Sequence, residues 1–300
     1  MKQLFWVAAA AIALSTVSSA EARAQVAIPA AAVAGAPAQY KTGGFALGVH
    51  AFTFVKFTAF EAIEKTAASG AKCIDLRPGQ KLAPDDATPV GPGMGADKTK
   101  KLKDKVAASG LKLMGFGVVP IPRDEARARV LFEWAHEMGI SVFNTESTDA
   151  LDTAEKLARE FDINVGIHDH PRRPNDPKYR LWDPSYVLSL VKDRDHHIGA
   201  CADVGHWARS GLRPVDCLKI LSGRIVSSHF KDLNVRGVVS AHDVPWGTGS
   251  SEAAAMLDEL HAQNFQGPLS VEYETNMEHS LPEVAQCIAF VRGYGMARGY

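Results

Sequence analysis

From Phe45 to the end of the chain, short apolar segments alternate with longer amphipathic segments. Apolar runs of about four to eight residues are typical of buried strands, and amphipathic stretches between them are typical of helices. Eight apolar runs predict strands: Phe45–Val49, Lys72–Leu76, Leu111–Val118, Ser141–Asn144, Asn164–His168, Ile198–Ala202, Ile225–His229 and Leu269–Glu272. Strands that alternate with helices form a parallel sheet, so this pattern places the chain in the α/β class.

The segments between the predicted strands have the composition of helices that pack on a sheet. Five of them predict amphipathic helices: Phe57–Ala68, Glu125–Met138, Ala150–Phe161, Leu212–Leu221 and Glu252–Ala262. A glycine precedes several predicted strands, at Gly70, Gly110, Gly139 and Gly223. Glycine is the residue that most readily adopts the left-handed conformation that ends a helix, so these positions indicate helix ends.

Eight strands with intervening helices match a (β/α)₈ TIM barrel, which typically needs about 250 residues. An open, doubly wound sheet is the main alternative for the α/β class. The first predicted strand is followed by Gly48-Val49-His50, which lacks the glycine-rich turn that holds a dinucleotide. We therefore predict a single TIM-barrel domain over residues 45–300.

The N-terminal segment predicts export. Lys2 is followed by the apolar run Leu4–Leu14, which has the form of a secretory signal and is too short to span a membrane. Small residues permit cleavage after Ala20 or Ala24. We expect residues 1–24 to be a signal peptide, residues 25–44 to be a flexible Ala/Pro-rich tether, and the mature protein to reach a bacterial periplasm without membrane association.

The charge and the cysteines exclude other classes of protein. The formal net charge is −1, which provides no basic surface for a nucleic acid. The four cysteines are widely spaced, so they predict neither a metal knuckle nor a disulfide framework.

Ionisable residues concentrate at the C-terminal ends of the last four predicted strands, where the active sites of TIM barrels lie. His168 and His170 are two residues apart, so both face the same way at the barrel mouth. Asp203, His229 and Glu272 end the next three strands. Because unpaired buried charges are costly, we predict a divalent metal ion whose ligands are His168, Asp203, His229 and Glu272. Two nitrogen and two oxygen ligands favour Mn²⁺, Zn²⁺, Co²⁺ or Fe²⁺ over Mg²⁺.

Other residues near these strand ends are candidates for catalysis and for substrate binding. The candidate catalytic residues are Glu146, Lys231 and Glu272, and the candidate substrate-binding residues are His50, His170, His206 and Trp246. Trp246 offers an aromatic face on which a sugar ring can stack. Two long loops, residues 77–97 and 232–249, follow the second and seventh predicted strands, and loops of this length are usually functional. We expect them to form walls over a substrate.

Taken together, these residues resemble the xylose isomerase-like barrel superfamily of sugar phosphate isomerases and epimerases, from Phe45 to Arg292. The resemblance is carried by four motifs: Asp203-Val204-Gly205-His206, His229-Phe230-Lys231-Asp232, Val244-Pro245-Trp246-Gly247-Thr248-Gly249 and Ser270-Val271-Glu272-Tyr273-Glu274. It implies that Asp203, His229 and Glu272 are metal ligands and that His206 contacts a substrate oxygen. Epimerase-type relatives have a Glu where this chain has His168, and that Glu is one of their two proton-transferring bases.

The resemblance implies a metal-dependent isomerase or epimerase that removes a proton next to the carbonyl of a keto sugar through an enediolate. The His-x-His pattern also resembles an exported branch, some of whose members eliminate the aglycone of 3-keto-glycosides, so a lyase or hydratase is the alternative. A non-catalytic sugar-binding barrel is the second alternative. Glu146, Lys231 or His170 is expected to replace the missing base. Export favours an unphosphorylated sugar or keto-glycoside as the partner, and the sequence leaves homo-oligomer formation open.

Overall fold

The computed structural model describes residues 35–300, and these residues form a closed barrel of eight parallel strands surrounded by helices. The barrel strands are β1 (Ala46–His50), β2 (Cys73–Leu76), β5 (Lys112–Gly117), β6 (Val142–Thr145), β7 (Asn164–His168), β8 (Ile198–Asp203), β9 (Ile225–Phe230) and β10 (Pro268–Val271). Around the barrel the order is β1-β10-β9-β8-β7-β6-β5-β2, with every pair parallel. The predicted TIM barrel is confirmed.

The helices cover the outside of the barrel. They are α1 (Ala59–Ala68), α2 (Ala96–Ala108), α3 (Glu125–Met138), α4 (Leu151–Phe161), α5 (Pro184–Val191), α6 (Val204–Arg209), α7 (Pro214–Ile220), α8 (Ala253–Ala262) and α9 (Leu281–Arg298). All five predicted helices are present, with ends shifted by two residues at most. Within residues 35–300, none of the helices combines the length and the apolar character needed to cross a lipid bilayer.

Local sequence signals fix the helix ends. At the start of α1 the Thr58 hydroxyl accepts the Glu61 amide, and the Glu61 carboxylate accepts the Thr58 amide, which is a capping box. At the end of α3, Gly139 has φ 77° and donates its amide to the carbonyls of Ala135 and His136. The left-handed conformation at this position favours glycine because a Cβ atom would strain it.

Large apolar side chains fill the space between the strands and the helices. Phe132 of α3 meets Phe143 of β6 edge to face at 4.9 Å between ring centroids, and Phe116 of β5 meets Trp134 of α3 at the same distance. These four side chains are at most 5% exposed. Close packing of this kind fixes the position of each strand. It therefore also fixes the position of the side chains at the strand ends, which form the barrel mouth.

The predicted signal peptide and the first part of the predicted tether lie outside the described residues. The remaining part, residues 35–44, is packed rather than free, which corrects the prediction of a flexible tether up to residue 44. Ala36 is 4% exposed and contacts a small cluster with Ala46 and Cys73, and Lys41 donates to the Gln266 side chain at 2.9 Å. Composition alone suggested a tether because alanine and proline are common in linkers, but small apolar residues also fit a closely packed surface.

The loop predicted after the second strand contains structure of its own. Its strands β3 (Lys81–Ala83) and β4 (Asp86–Pro89) form an antiparallel hairpin, and a short 3₁₀ helix follows at Pro92–Met94. Arg77 and Pro78, which connect β2 to this hairpin, line a cavity at the barrel mouth. The expectation that this segment forms a wall of the mouth therefore holds, whereas its description as a plain loop was incomplete.

The second long loop, after β9, is held by one buried carboxylate. Asp232 is 1% exposed and accepts three backbone amides, from Gly247, Gly249 and Ser251, each at 2.9 Å. A Cβ atom on Gly249 would come within 2.3 Å of the Asp232 carboxylate, so only glycine permits this approach. The loop is therefore folded back onto the end of its own strand, and this fixes Asp243 beside the barrel mouth.

Replacement of Asp232 by Ala should destabilise the protein by about 2–3 kcal/mol, because three backbone amides lose a buried, charged acceptor. Urea unfolding of Asp232→Ala measures this, and hydrogen exchange should show faster exchange of the Gly247, Gly249 and Ser251 amides. Asp193→Ala is the matched control, since the Asp193 side chain is 87% exposed, and it should change stability by less than about 0.5 kcal/mol. Unchanged exchange in the loop of Asp232→Ala would contradict this role.

Candidate active site

A cavity of about 180 Å³ opens at the C-terminal ends of the barrel strands. It is lined by His50, Phe52, Arg77, Pro78, Gly117, Val118, His168, His170, His206, Glu272 and Glu274. Five of the predicted site residues lie on its wall: His50, His168, His170, His206 and Glu272. The prediction that His168 and His170 face the same way is thus met by the structure.

Four side chains converge at the floor of this cavity. His168, Asp203, His229 and Glu272 are all buried, and each offers one ligand atom within 4.8 Å of the others. His168 Nε2 lies 3.7 Å from Asp203 Oδ2, and His229 Nδ1 lies 3.2 Å from Glu272 Oε2. These are the four residues that the sequence analysis selected as metal ligands, and the structure brings them together as a group able to hold a metal ion.

The hydrogen bonding of this group fits a metal ion. Both ring nitrogens of His168 and Nδ1 of His229 are buried without a hydrogen-bond partner. Buried polar atoms normally have a partner, because an unmade hydrogen bond costs free energy. Two imidazoles and two carboxylates that meet in a buried pocket are a suitable donor set for a divalent transition metal, once each imidazole gives up the proton on its ligand nitrogen.

Lys231 provides the positive charge at this floor. Its ammonium is fully buried and contacts both Asp203 Oδ2 and Glu272 Oε2. Lys231 does not line the cavity. An ammonium bound between two carboxylates has no lone pair with which to accept a proton, so this position does not favour Lys231 as a base, and its part in proton transfer stays a prediction.

Burial and charge set the ionisation of the floor. Burial alone would raise the pKa values of Asp203 and Glu272, but nearby positive charge, including that of Lys231, outweighs burial and holds them well below their usual range. Burial lowers the pKa of His229 to about 4, so this imidazole is neutral. Burial also acts to lower the pKa of His168, but the Asp203 and Glu146 carboxylates outweigh it and raise the pKa to about 10.

His50 supports Glu272 from the neighbouring strand. Its Nδ1 lies 2.9 Å from Glu272 Oε1, and its Nε2 lies 2.9 Å from the Gly117 carbonyl oxygen. The imidazole thus bridges the ends of β10 and β5, and it also forms part of the cavity wall. The His50 imidazole therefore orients the Glu272 carboxylate and also faces the cavity.

His229 has a partner behind it that the sequence analysis did not select as a site residue. The side-chain amide nitrogen of Asn144 lies 3.0 Å from His229 Nε2, and the Ser227 hydroxyl donates to Asn144 Oδ1 at 2.6 Å. All three side chains are fully buried. The arrangement holds the imidazole plane so that Nδ1 faces Glu272, and the Asn144 amide decides which nitrogen carries the proton.

Above the floor, Glu146 binds His170. Its Oε1 contacts His170 Nδ1 and accepts the Tyr179 hydroxyl at 2.9 Å, while Tyr179 also accepts the His170 backbone amide at 2.7 Å. Burial acts to raise the pKa of Glu146, but the neighbouring imidazoles and the Tyr179 hydroxyl outweigh it and hold that pKa well below its usual range. Glu146 is thus a carboxylate that orients an imidazole of the cavity wall, and it does not itself line the cavity.

A second network surrounds His206. Arg209 donates to Glu274 Oε2 at 2.6 Å, contacts His206 Nδ1 at 3.2 Å and lies 3.4 Å from Asp243 Oδ2. Burial lowers the pKa of His206 well below its usual value, so the imidazole is neutral. Because Arg209 can only donate, His206 Nδ1 is the acceptor and the Nε2 atom carries the proton.

Sequence reasoning missed several residues of the site. Asp169 is 1% exposed and accepts the Asp203 backbone amide at 3.0 Å, and burial together with the Asp203 charge raises its pKa. Asp169 had a visible signal, since it lies between His168 and His170. Tyr179 and Arg209 had none, because both lie outside the strand ends and reach the site through loop and helix geometry.

One predicted site residue lies elsewhere. Trp246 is 3% exposed and packs against Phe230, with 4.5 Å between the ring centroids. The prediction that Trp246 offers a stacking face to a sugar ring is therefore wrong. The Asp232 loop turns this side chain into the apolar layer, where burial of a large aromatic surface stabilises it.

Comparison of the sequence with known protein families finds one match. A family model described as a xylose isomerase-like TIM barrel matches residues 63–292. The comparison with curated proteins gives no match.

Several solved structures resemble this chain. An uncharacterized protein of Parabacteroides distasonis is 29% identical with a TM-score of 0.67, covering 83% of this chain and 99% of that one. A D-tagatose 3-epimerase-like protein is 16% identical with a TM-score of 0.65, covering 84% and 98% of the two chains. A D-psicose 3-epimerase, solved in the presence of D-fructose, is 13% identical with a TM-score of 0.60, covering 84% and 97%. At these two lower identities the likeness shows the fold alone.

Replacement of Lys231 by Met should destabilise the metal-free protein by about 3–5 kcal/mol, because two buried carboxylates lose their shared cation. Urea unfolding in the presence of a chelator measures the difference between Lys231→Met and the unaltered protein. Lys219→Met, at an exposed position of α7, is the matched control and should stay within about 0.5 kcal/mol. A loss at Lys231 no larger than that of the control would show that Asp203 and Glu272 do not depend on this ammonium.

Proposed function

Since the chain belongs to the xylose isomerase-like TIM barrel family, we propose that it is a divalent-metal-dependent isomerase or epimerase of keto sugars. The reaction removes a proton from the carbon next to a carbonyl, through an enediolate. The observation that carries this proposal is the convergence of His168, Asp203, His229 and Glu272 at the floor of a cavity of about 180 Å³. Several structures with the same fold are named as sugar epimerases, which supports the choice of substrate class.

The metal would be held by atoms that already face one another. They are His168 Nε2, Asp203 Oδ2, His229 Nδ1 and Glu272 Oε2. A divalent cation bound there supplies a Lewis acid, which stabilises negative charge on a carbonyl oxygen. The mixed nitrogen and oxygen donors favour Mn²⁺, Zn²⁺, Co²⁺ or Fe²⁺ over Mg²⁺.

His170 is the residue that transfers the proton in this proposal. It lines the cavity, and its Nδ1 contacts Glu146. Because Glu146 is a carboxylate and can only accept, the proton of the neutral imidazole sits on Nδ1, and Nε2 is left with a lone pair. An imidazole oriented by a carboxylate is a suitable general base, since the carboxylate stabilises the imidazolium that forms. Glu146 thus acts through His170 as a positioning residue.

Two further imidazoles bind the substrate. His206 is neutral with its proton on Nε2, which lies 3.4 Å from Asp203 Oδ2. In this proposal the same N–H donates a hydrogen bond to a substrate oxygen that lies beside Asp203. The His206 ring stacks on the ring of His170 with 5.0 Å between centroids, so a bound oxygen lies close to the general base. His50, on the other side of Glu272, completes this wall of the cavity.

One observation favours elimination as the second candidate reaction. Epimerisation needs two groups that exchange protons on opposite faces of one carbon, and His168 at the floor replaces an acid that would serve as one of them. Two imidazole–carboxylate pairs lie at the cavity wall, His170 with Glu146 and His50 with Glu272. Because Glu272 belongs to the proposed metal-ligand group, His170 with Glu146 is the pair left for proton transfer. A single base suffices to remove the proton next to the carbonyl of a 3-keto-glycoside, after which the aglycone leaves from the neighbouring carbon.

Export remains part of the proposal. The predicted signal peptide would carry the enzyme to a bacterial periplasm, where sugars and glycosides are more available than the sugar phosphates of the cytoplasm. The proposed substrate is accordingly an unphosphorylated keto sugar or keto-glycoside.

Incubation in D₂O tests the function. The mature chain from Gln25, loaded with Mn²⁺, is offered D-fructose and a 3-keto-glucoside, and the products are followed by proton NMR. Deuterium that enters the sugar while the glycosidic bond stays intact identifies an isomerase or epimerase. Release of the aglycone together with loss of the proton identifies the lyase. Saturable sugar binding without exchange or release would contradict both and identify a binding protein.

Replacement of His170 by Gln should slow deuterium exchange by about 10²- to 10⁴-fold, because glutamine cannot accept the proton. The affinity for Mn²⁺, measured by calorimetry, should stay unchanged because His170 lies outside the four-residue ligand group. His136→Gln, at an exposed position of α3, is the control and should exchange at the original rate. Exchange by His170→Gln at the rate of the control would remove His170 from the mechanism.

Replacement of Asn144 by Leu should weaken Mn²⁺ binding by about 10- to 100-fold, because the partner that orients His229 is lost. Binding of the metal at Nδ1 requires the proton on Nε2. The Asn144 side chain would then have to turn from the orientation described above, so that its carbonyl oxygen faces His229 and its amide nitrogen faces Ser227. Asn144→Asp keeps an acceptor at this position and should retain tight binding. Calorimetric titration of both variants with Mn²⁺ measures the difference, and equal affinities for the two would show that Asn144 does not act on His229.

A further inference from the structure

Arg77 lies on the cavity wall away from the metal-ligand group. It is the first residue after β2, and its half-buried side chain lines the cavity together with Pro78. Its guanidinium carbon lies over the ring of Phe52, 5.5 Å from the ring centroid. Within residues 35–300, the Arg77 side chain contacts this ring and makes no other hydrogen bond, ion pair or ring contact.

The other formally charged side chains of the cavity wall have partners of opposite charge. Glu272 contacts Lys231, and Glu274 accepts from Arg209 at 2.6 Å. Arg77 has no such partner among the described residues. Partial burial lowers its pKa, which reflects the cost of withdrawing an uncompensated guanidinium from water. A cation that is half withdrawn from water and unpaired is suited to receive an anion that arrives with a ligand.

The barrel topology sets the distance between this charge and the reacting end of the cavity. In the closed order of strands, β2 lies four strands from β8 in either direction, so the end of β2 stands across the mouth from Asp203. His168 and His170 follow β7, the neighbour of β8. A substrate whose carbonyl end lies against these residues therefore extends its other end towards Arg77 and Phe52.

We propose that Arg77 recognises an anionic group, a carboxylate or a phosphate, at the end of the substrate remote from the reacting carbonyl. The inference rests on the proposed function and assigns its substrate class. The planar guanidinium donates two parallel hydrogen bonds to two oxygens of either group, which is a geometry that lysine does not reproduce. The Phe52 ring lies on one side of the guanidinium, and no described side chain accepts a hydrogen bond from it, so its donors are available to an anion. A keto acid meets this requirement without a phosphate, so the inference is compatible with an exported enzyme.

The first measurement compares three probes of similar size on the Mn²⁺-loaded mature protein. They are D-fructose, its terminal phosphate ester and keto-gluconate, and binding is followed by calorimetry. We expect at least one anionic probe to bind about tenfold or more tightly than D-fructose. A hydrogen-bonded pair of opposite charges contributes enough binding free energy for a difference of this size. The carboxylate and phosphate arms show which of the two groups the site prefers.

Two variants and a control test whether Arg77 is the cause. Arg77→Gln should lower the affinity for the preferred anionic probe by about tenfold or more while leaving that for D-fructose within about twofold. Arg77→Lys should restore only part of the preference because it lacks the two-pronged geometry. Arg180→Gln is the matched control: Arg180 is exposed, its guanidinium carbon lies 4.1 Å from the Tyr186 ring centroid, and it is not part of the cavity wall.

The outcomes separate this inference from the proposed function. If D-fructose and both anionic probes bind equally, or if Arg77→Gln keeps the preference, the inference is wrong, whatever the D₂O experiment shows. If Arg77→Gln loses the preference but no probe exchanges deuterium, the anion site stands and the proposed reaction fails. Equal losses for neutral and anionic probes in Arg77→Gln would indicate a general disturbance of the cavity wall and would also overturn the inference.

Discussion

Two buried carboxylates at the floor of the barrel mouth, Asp203 and Glu272, are stable as anions because the Lys231 ammonium is bound between them. Burial of ions is costly unless each is paired and its remaining polar atoms are satisfied. Asp169 accepts the Asp203 backbone amide, and His50 contacts the second oxygen of Glu272. The charged floor is thus held by residues from five strand ends, and the closed barrel brings these ends together.

The same barrel separates the site into a floor and a rim. The floor residues sit at the ends of strands and are buried, so most of their contacts come from neighbouring strand ends rather than from the loops. The rim depends on loop contacts, as in Glu146, which reaches His170 and Tyr179 in the segment after β7. A rigid floor suits residues that hold a metal, whereas a rim of loop residues can differ between relatives and can determine which substrate binds.

Periodicity and the strand-end rule predicted the barrel and the floor. His168, Asp203, His229 and Glu272 could be selected because each ends a short apolar run, and parallel strands of a barrel end at the same face. The orientation of Trp246 could not be predicted, because it follows from the Asp232 loop folding back on itself. Asn144 was visible at a strand end, but its contact with His229 depends on which barrel strands face each other across the interior. The packed segment of residues 35–44 was missed because its composition is equally suited to a linker.

The charge of the completed site bears on which substrates it favours. With the proposed divalent cation bound, the Asp203 and Glu272 carboxylates would balance its charge. Lys231 would then leave the floor with a net positive charge, since His168 and His229 would be neutral as metal ligands. A relative with a carboxylate in place of His168 would have a floor with one more negative charge. Exchange of that acid for an imidazole therefore removes a base and makes the cavity more favourable to negatively charged groups. Arg77 adds positive charge at the opposite wall, so in the proposed reaction both ends of the cavity would favour an anionic keto sugar and the anionic enediolate formed from it.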